Sequence, residues 1–129
     1  MSFTNLAKKR CSIRAYEPRP VEPEKIAAIV EAAHVAPSAA NRQPVRLIQV
    51  ESAEGLANLG RYANLYGAPL AFIVCADAKR AWKRPVDGMV STAIDASITC
   101  DHMMIAATDL GLGSVWICAF DPAGVREAF

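Results

Sequence analysis

A chain of 129 residues has room for one domain around one core, residues 1–129, and a second domain is not expected. Acidic and basic residues nearly cancel at a net charge of +1 and are spread along the chain, which excludes the electrostatic footprint of a nucleic-acid binder or of a protein held on anionic membranes. Apolar residues make up 53% of the chain, more than a monomer of this size readily hides, so a partner subunit is the simple outlet.

Residues Phe3 to Lys9 read as a short helix ending in a basic cluster. Pro18, Pro20 and Pro23 then mark an extended link, with Pro23 suited to the first turn of a second helix. In that helix Ile26, Ile29, Val30 and Ala33 recur at helical spacing, and the stripe ends at Pro37. "VRLIQVE" reads as a strand, "SAEGLANL" as a short helix, and "GAPLAFIVCAD" as a second strand so continuously apolar that it must be covered on both faces. The basic stretch from Asp77 to Met89, with "KRAWKR" inside it, reads as a surface loop. Thr92 and Asp95 have the spacing of a capping box and open a long helix whose residues Ile94, Ile98, Met103, Met104, Ile105 and Leu110 predict burial almost all round. Gly111 and Gly113 stop it, "SVWICAF" reads as a third strand, and Asp121 with Pro122 starts a last helix. Strands separated by helices imply a layered α/β or α+β domain.

Cys11, Cys75, Cys100 and Cys118 lack CxxC spacing, so neither a zinc site nor a disulfide framework is suggested, and reduced thiols of an intracellular protein are expected. No stretch reaches membrane-spanning length without a polar interruption, and no leader is evident, so the expected location is the cytoplasm with no membrane partner. His34 and His102 have no carboxylate or second histidine at ligand spacing, and no metal is expected.

Three segments carry more chemistry than folding requires. In "RCSIR", Arg10, Ser12 and Arg14 share one side if the backbone is extended, and two guanidinium forks beside a hydroxyl suit a phosphate monoester. On that motif alone, two exposed arginines are the plainer reading. "PSAANRQP" sets Ser38, Asn41 and Gln43 around the small Ala39 and Ala40, which fits either the edge of a planar heterocycle or a loop that satisfies its own backbone. "LGLGSVWICAF" runs from glycines into a strand, an order that excludes a dinucleotide fingerprint, and its Cys118 reads as core rather than as a nucleophile. No Ser, His, Asp set and no paired acids are suggested.

Taken in order, "KKRCSIRAYEPRPV", "EAAHVAPSAANRQPVRLIQV", "GAPLAFIVCAD" and "AIDASITCDHMMIAATDLGLGSVWICAFDPAGVREAF" resemble the nitroreductase family of FMN-dependent NAD(P)H oxidoreductases. The resemblance implies an α+β sandwich with a mixed, largely antiparallel sheet flanked by helices, in an intertwined homodimer with FMN at the interface. It implies that Arg10, Ser12 and Arg14, with Cys11 between them, hold the FMN phosphate and ribityl chain, Arg14 also reaching the pyrimidine side of the flavin. It assigns Pro37, Ser38, Ala39 and Asn41 to a loop donated to the neighbouring subunit, with Gln43 and Pro44 shaping that loop. Ile117, Cys118 and Ala119 are implied beside flavin N5 through backbone groups, although many relatives carry a glycine or an acidic residue there.

The activity implied is hydride transfer from NAD(P)H through flavin N5 to a nitroaromatic, quinone or similar small acceptor by a ping-pong mechanism, with no protein acid, base or nucleophile. Relatives continue past the position of Phe129 into a further strand and basic residues that help hold the phosphate. That difference keeps two alternatives open: a non-catalytic flavin or nucleotide binder, and a degenerate structural dimer.

Overall fold

The computed structural model describes residues 1–129. Helix α1 (Phe3–Lys9) starts at Ser2, whose hydroxyl accepts the Asn5 N–H, and ends on Lys8 and Lys9, cations placed at the negative end of the helix dipole. Helix α2 (Pro23–Val35) carries Pro23 in its first turn and buries Ile26 and Ile29, as their spacing predicts. Strands β1 (Val45–Val50) and β2 (Ala71–Ala76) pair antiparallel, from Val45 opposite Ala76 to Val50 opposite Ala71. Between them lies α3 (Ala53–Leu59), capped by Ser52. Helix α4 (Thr92–Asp109) is the longest, and α5 (Pro122–Ala128) is capped by Asp121, whose carboxylate accepts the Ala123 and Gly124 N–H groups at 3.1 Å.

Both faces of the β1–β2 pair are covered, which explains why β2 is apolar at every position. On one face, Leu47, Phe72 and Val74 pack against Ile29 of α2 and Met103 and Ala107 of α4. On the other, Ile48, Val50, Ala71 and Ile73 pack against Leu59 of α3 and Val125 of α5. Helices flank an antiparallel sheet on both sides, as expected for the α+β class.

Three local expectations are corrected. "SVWICAF" is not a paired strand: Ser114 bridges Ser12 and Phe120 bridges Ala63, the residues between have no ladder partner in the chain, and the Phe120 N–H turns back to the Cys118 carbonyl at 3.1 Å. A strand needs a neighbour, and the free edge of β2 does not meet this segment. Instead Leu70 to Val74 and Leu112 to Ile117 together line an apolar cleft of about 660 Å³. Helix α4 is not buried all round: Met103 and Ala107 are core, but Ile94 is half exposed. Its N-cap is Ser91 rather than Thr92, and no capping box forms, because the Ser91 hydroxyl donates to the Asp95 carboxylate instead of taking a backbone N–H.

No helix is long and apolar enough to cross a membrane. All four cysteines are free, and no group of His, Cys, Asp or Glu is arranged to hold a metal ion.

Candidate functional site

The residues after α1 leave the helix in extended conformation at Arg10, and none from Cys11 to Tyr16 is helical. Ser12 pairs in parallel with Ser114, and the Ile13 N–H donates to the Ser114 carbonyl at 2.9 Å. The pairing depends on a glycine: a Cβ on Gly113 would lie 2.8 to 3.0 Å from three side-chain carbons of Ile13. One contact, 102 residues apart in sequence, therefore joins the Arg10–Arg14 segment to the segment that carries Ile117, Cys118 and Ala119.

Ile13 is half-buried while Cys11, Ser12 and Arg14 are exposed, and Arg10 is half-buried at the end of α1. With Ile13 turned inward, alternation puts Arg10, Ser12 and Arg14 on the opposite side of the segment. Neither arginine takes part in any of the three ion pairs of the chain. Beyond Arg14, the Tyr16 hydroxyl donates to the Ile13 carbonyl at 2.6 Å, and burial pushes its phenol above the ordinary tyrosine range while the Arg14 charge pulls it down. Beside Ser12, the Ser114 hydroxyl is buried with no hydrogen-bond partner, a state that leaves its desolvation uncompensated.

The Pro37–Gln43 loop is built from tight local geometry. A short 3₁₀ turn spans Ala39–Asn41, and Ala40, Asn41 and Gln43 all have φ near +50°, in the left-handed region that non-glycine residues rarely adopt. The Ser38 hydroxyl accepts the Gln43 N–H at 2.9 Å, and the Gln43 amide donates to the Asn41 side-chain carbonyl at 3.3 Å. Part of the loop's polar chemistry thus satisfies the loop itself, one of the two readings its sequence left open. Arg80 holds it from outside, donating to the Arg42 carbonyl at 3.0 Å. Asp95 holds it from α4, accepting the Ala39 N–H at 2.9 Å. Pro37 and Asn41 stay exposed, and Ser38 and Ala39 are half-buried.

Within one chain no hydrogen bond joins the Pro37–Asn41 loop to the Arg10–Arg14 or Ile117–Ala119 segments. The loop is tied to Asp95 in the first turn of α4, whereas Ser12 and Ser114 lie past its other end, where the Leu112 N–H caps the Ala107 carbonyl. The 14 residues from Asp95 to Asp109 rise about 21 Å along the helix. The apolar cleft does not unite the candidates either, since of the eleven it takes only Ile117.

Cys118 is exposed rather than in the core. It lies close enough to Cys100 of α4 to add to the effect of burial, and the Cys100 thiol is pushed up to about 11. His34 is exposed and His102 sets its Nδ1 against the Ile98 carbonyl at 3.1 Å, so both are helix-face residues as expected. Trp82 is half-buried in a loop closed on itself by the Arg84–Asp87 ion pair and by the Ser91 N–H on the Trp82 carbonyl. Sequence reasoning missed Ser114, whose hydroxyl meets no partner, and the long-range roles of Asp95 and Arg80. The one local signal at Asp95, its i, i+3 spacing from Thr92, reads as a capping box and does not point to Ser91 or Ala39.

Comparison with known proteins bears on the family and the fold. A nitroreductase family protein from Clostridium difficile superposes with a TM-score of 0.98 at 51% identity, over all of this chain and 75% of that one. A protein of Archaeoglobus fulgidus named "Putative NADH dehydrogenase/NAD(P)H nitroreductase" is 39% identical over 112 residues, 84% of this chain and 62% of its own length. The FMN reductase (NAD(P)H) of Bacillus subtilis is 34% identical over 125 residues, 84% of this chain and 50% of its own length. The chain therefore spans between half and about two thirds of the length of these two relatives. The sequence profile described as Nitroreductase family matches residues 7–64 and 53–129, nearly the whole sequence. On that match and on the shared architecture, the chain belongs to the nitroreductase family.

Proposed function

We propose that this chain is an FMN-dependent NAD(P)H oxidoreductase that works as a homodimer, one domain per copy and two sites per dimer. Each site takes Arg10, Cys11, Ser12, Arg14, Ile117, Cys118 and Ala119 from one copy and Pro37, Ser38, Ala39 and Asn41 from the other. The observation that carries this reading is the Ser12–Ser114 bridge, which joins two segments of different character into one surface. One segment offers cations and a hydroxyl, and the other offers backbone without a ladder partner.

The donor set fits FMN. Two guanidinium groups outside any ion pair flank a hydroxyl on the exposed side of an extended segment, which suits a phosphate monoester. The buried, unpartnered Ser114 hydroxyl is a spare polar group beside them. When bound, FMN supplies the redox chemistry, carrying two electrons from NAD(P)H to a nitroaromatic, quinone or similar small acceptor in alternate half-reactions.

The chain's own part is binding and orientation. Arg10 and Ser12 hold the phosphate end, and Arg14 is the cation available to favour negative charge on the ring during reduction. The backbone N–H groups of Ile117 to Ala119, which meet no acceptor within the chain, are offered to the ring edge, and the small Ala39 lets the partner's loop approach a planar ligand closely. No side chain is arranged as a general acid, base or nucleophile, and Cys100 is held as a neutral thiol by burial. The four free cysteines suit a reducing cytoplasm.

The test is a visible absorbance spectrum of the purified protein after FMN addition and desalting, followed by anaerobic NADH or NADPH. Retained yellow colour that bleaches supports the reading. Retained colour that does not bleach marks a non-catalytic flavin binder, and a colourless protein marks a structural dimer only.

A further inference from the structure

Asp95 has no part in the flavin contacts just described, yet it is the most deeply buried charged group of the chain, with 0% exposure. No cation pairs with it. Its carboxylate is satisfied by two donors: the Ser91 hydroxyl at 2.7 Å on one oxygen and the Ala39 N–H at 2.9 Å on the other. A buried carboxylate demands such partners, because desolvation without them is strongly unfavourable. Here one of the two belongs to a loop 56 residues earlier in the chain.

That loop needs holding. Ala40, Asn41 and Gln43 all sit in the left-handed region, and such strain persists only where the surroundings over-determine it. The other side-chain bonds on the loop, with the Ser38 hydroxyl accepting the Gln43 N–H, the Gln43 amide on Asn41, and Arg46 and Arg80 donating to loop carbonyls, lie at exposed positions where water competes for each partner. The Asp95 contact is made by a fully buried, charged acceptor, and charge-assisted hydrogen bonds are stronger than neutral ones. It grips Ala39, the residue immediately before the turn into left-handed backbone.

We infer that Asp95 is a positioning residue: through the Ala39 N–H it holds the Ala39–Asn41 turn in the one conformation that is offered to the flavin of the partner copy. Ser91 orients the carboxylate and acts one step further out. The inference rests on the proposed flavin site, and its test separates the two.

The experiment compares the wild type with Asp95→Ala, Asp95→Asn and Ser91→Ala by FMN titration and by amide hydrogen exchange of the flavin-free protein. Asp95→Ala is expected to raise the FMN Kd at least tenfold and to speed exchange at least tenfold in residues 38–42, with β1 and β2 unchanged. Asp95→Asn keeps an oxygen for the Ala39 N–H but loses the charge, and is expected to fall between wild type and Asp95→Ala in both readouts. Unchanged FMN affinity in Asp95→Ala, or exchange raised evenly over the whole chain, would overturn the inference. Should Asp95→Ala not fold, Ser91→Ala decides: a threefold or greater rise in both readouts supports it, and none overturns it. A wild type that binds no FMN removes the flavin reading, and loop exchange alone then reports whether Asp95 holds the turn.

Discussion

Arg10 and Arg14 are the residues on which the anion-binding argument turns. Their guanidinium groups stand outside the chain's ion pairs, so removing one leaves no buried partner stranded and the effect falls on the ligand. Arg10→Ala is expected to weaken FMN by roughly 1.5–3 kcal/mol, the range of a hydrogen bond to a charged group, or about ten- to a hundredfold in Kd. An exposed ion pair would contribute only about 0–1 kcal/mol. Flavin fluorescence titration reads the difference, and unchanged affinity would take Arg10 out of the site.

Cys100 makes a different residue-scale prediction. Burial raises its thiol from 9.0 to about 11, so the folded chain favours the neutral form. The associated stability is full below pH 9 and is lost as pH rises through about 11. Thiol labelling followed by mass spectrometry should modify the exposed Cys11 and Cys118 first at neutral pH. Cys100 should lag and catch up only near pH 11, and equal rates for all three at neutral pH would contradict its environment.

Among the elements, the critical contact is the one between the Arg10–Arg14 segment and the residues after α4. Gly113→Ala would drive a methyl group into Ile13. Overpacking of this kind destabilises by roughly 1–3 kcal/mol, and here it also separates Ser12 from Ser114. Denaturant unfolding should register the loss, and Ile13→Ala should restore part of it in the double variant, since the two residues share one clash. Additive effects would mean that the segment has room to move away.

The same elements mark what could be read beforehand. Pro23, Asp121 with Pro122, and the apolar run of β2 carry their signals locally, so two helix starts and one of the paired strands were legible from them. "SVWICAF" was not, because its composition suits a strand but its pairing depends on what lies beside it in space. The residue types at positions 10–14 and 37–43 suggested phosphate and heterocycle chemistry. Nothing in the order of residues indicated that Ser12 meets Ser114, or that Asp95 reaches Ala39 instead of capping its own helix.

For the whole molecule, the loop at the N-terminal end of α4 and the Ser12–Ser114 bridge past its other end motivate the proposed homodimer. A two-fold axis across this helix would bring the N-terminal end of one copy to the C-terminal end of the other, and with it the loop to the bridge. The apolar surface needed for such an interface is present: Val30 and Val35 of α2 and Ile94 of α4 are exposed, as are Trp116 and Phe120. Only 13 of the 129 residues are buried, so much of the core-like surface is available to a partner. Light scattering coupled to gel filtration should give twice the mass of the 13.8 kDa chain.

The central claim is that each flavin site is shared between two copies, and mixing two damaged chains tests it most directly. Arg14→Ala damages one half of every site, and Asn41→Ala damages the other half. If the halves come from different copies, random exchange makes half the dimers mixed, each with one intact site. About a quarter of the wild-type number of tight FMN sites should then return. If both halves belong to the same chain, the mixture will bind FMN no better than the average of its two components.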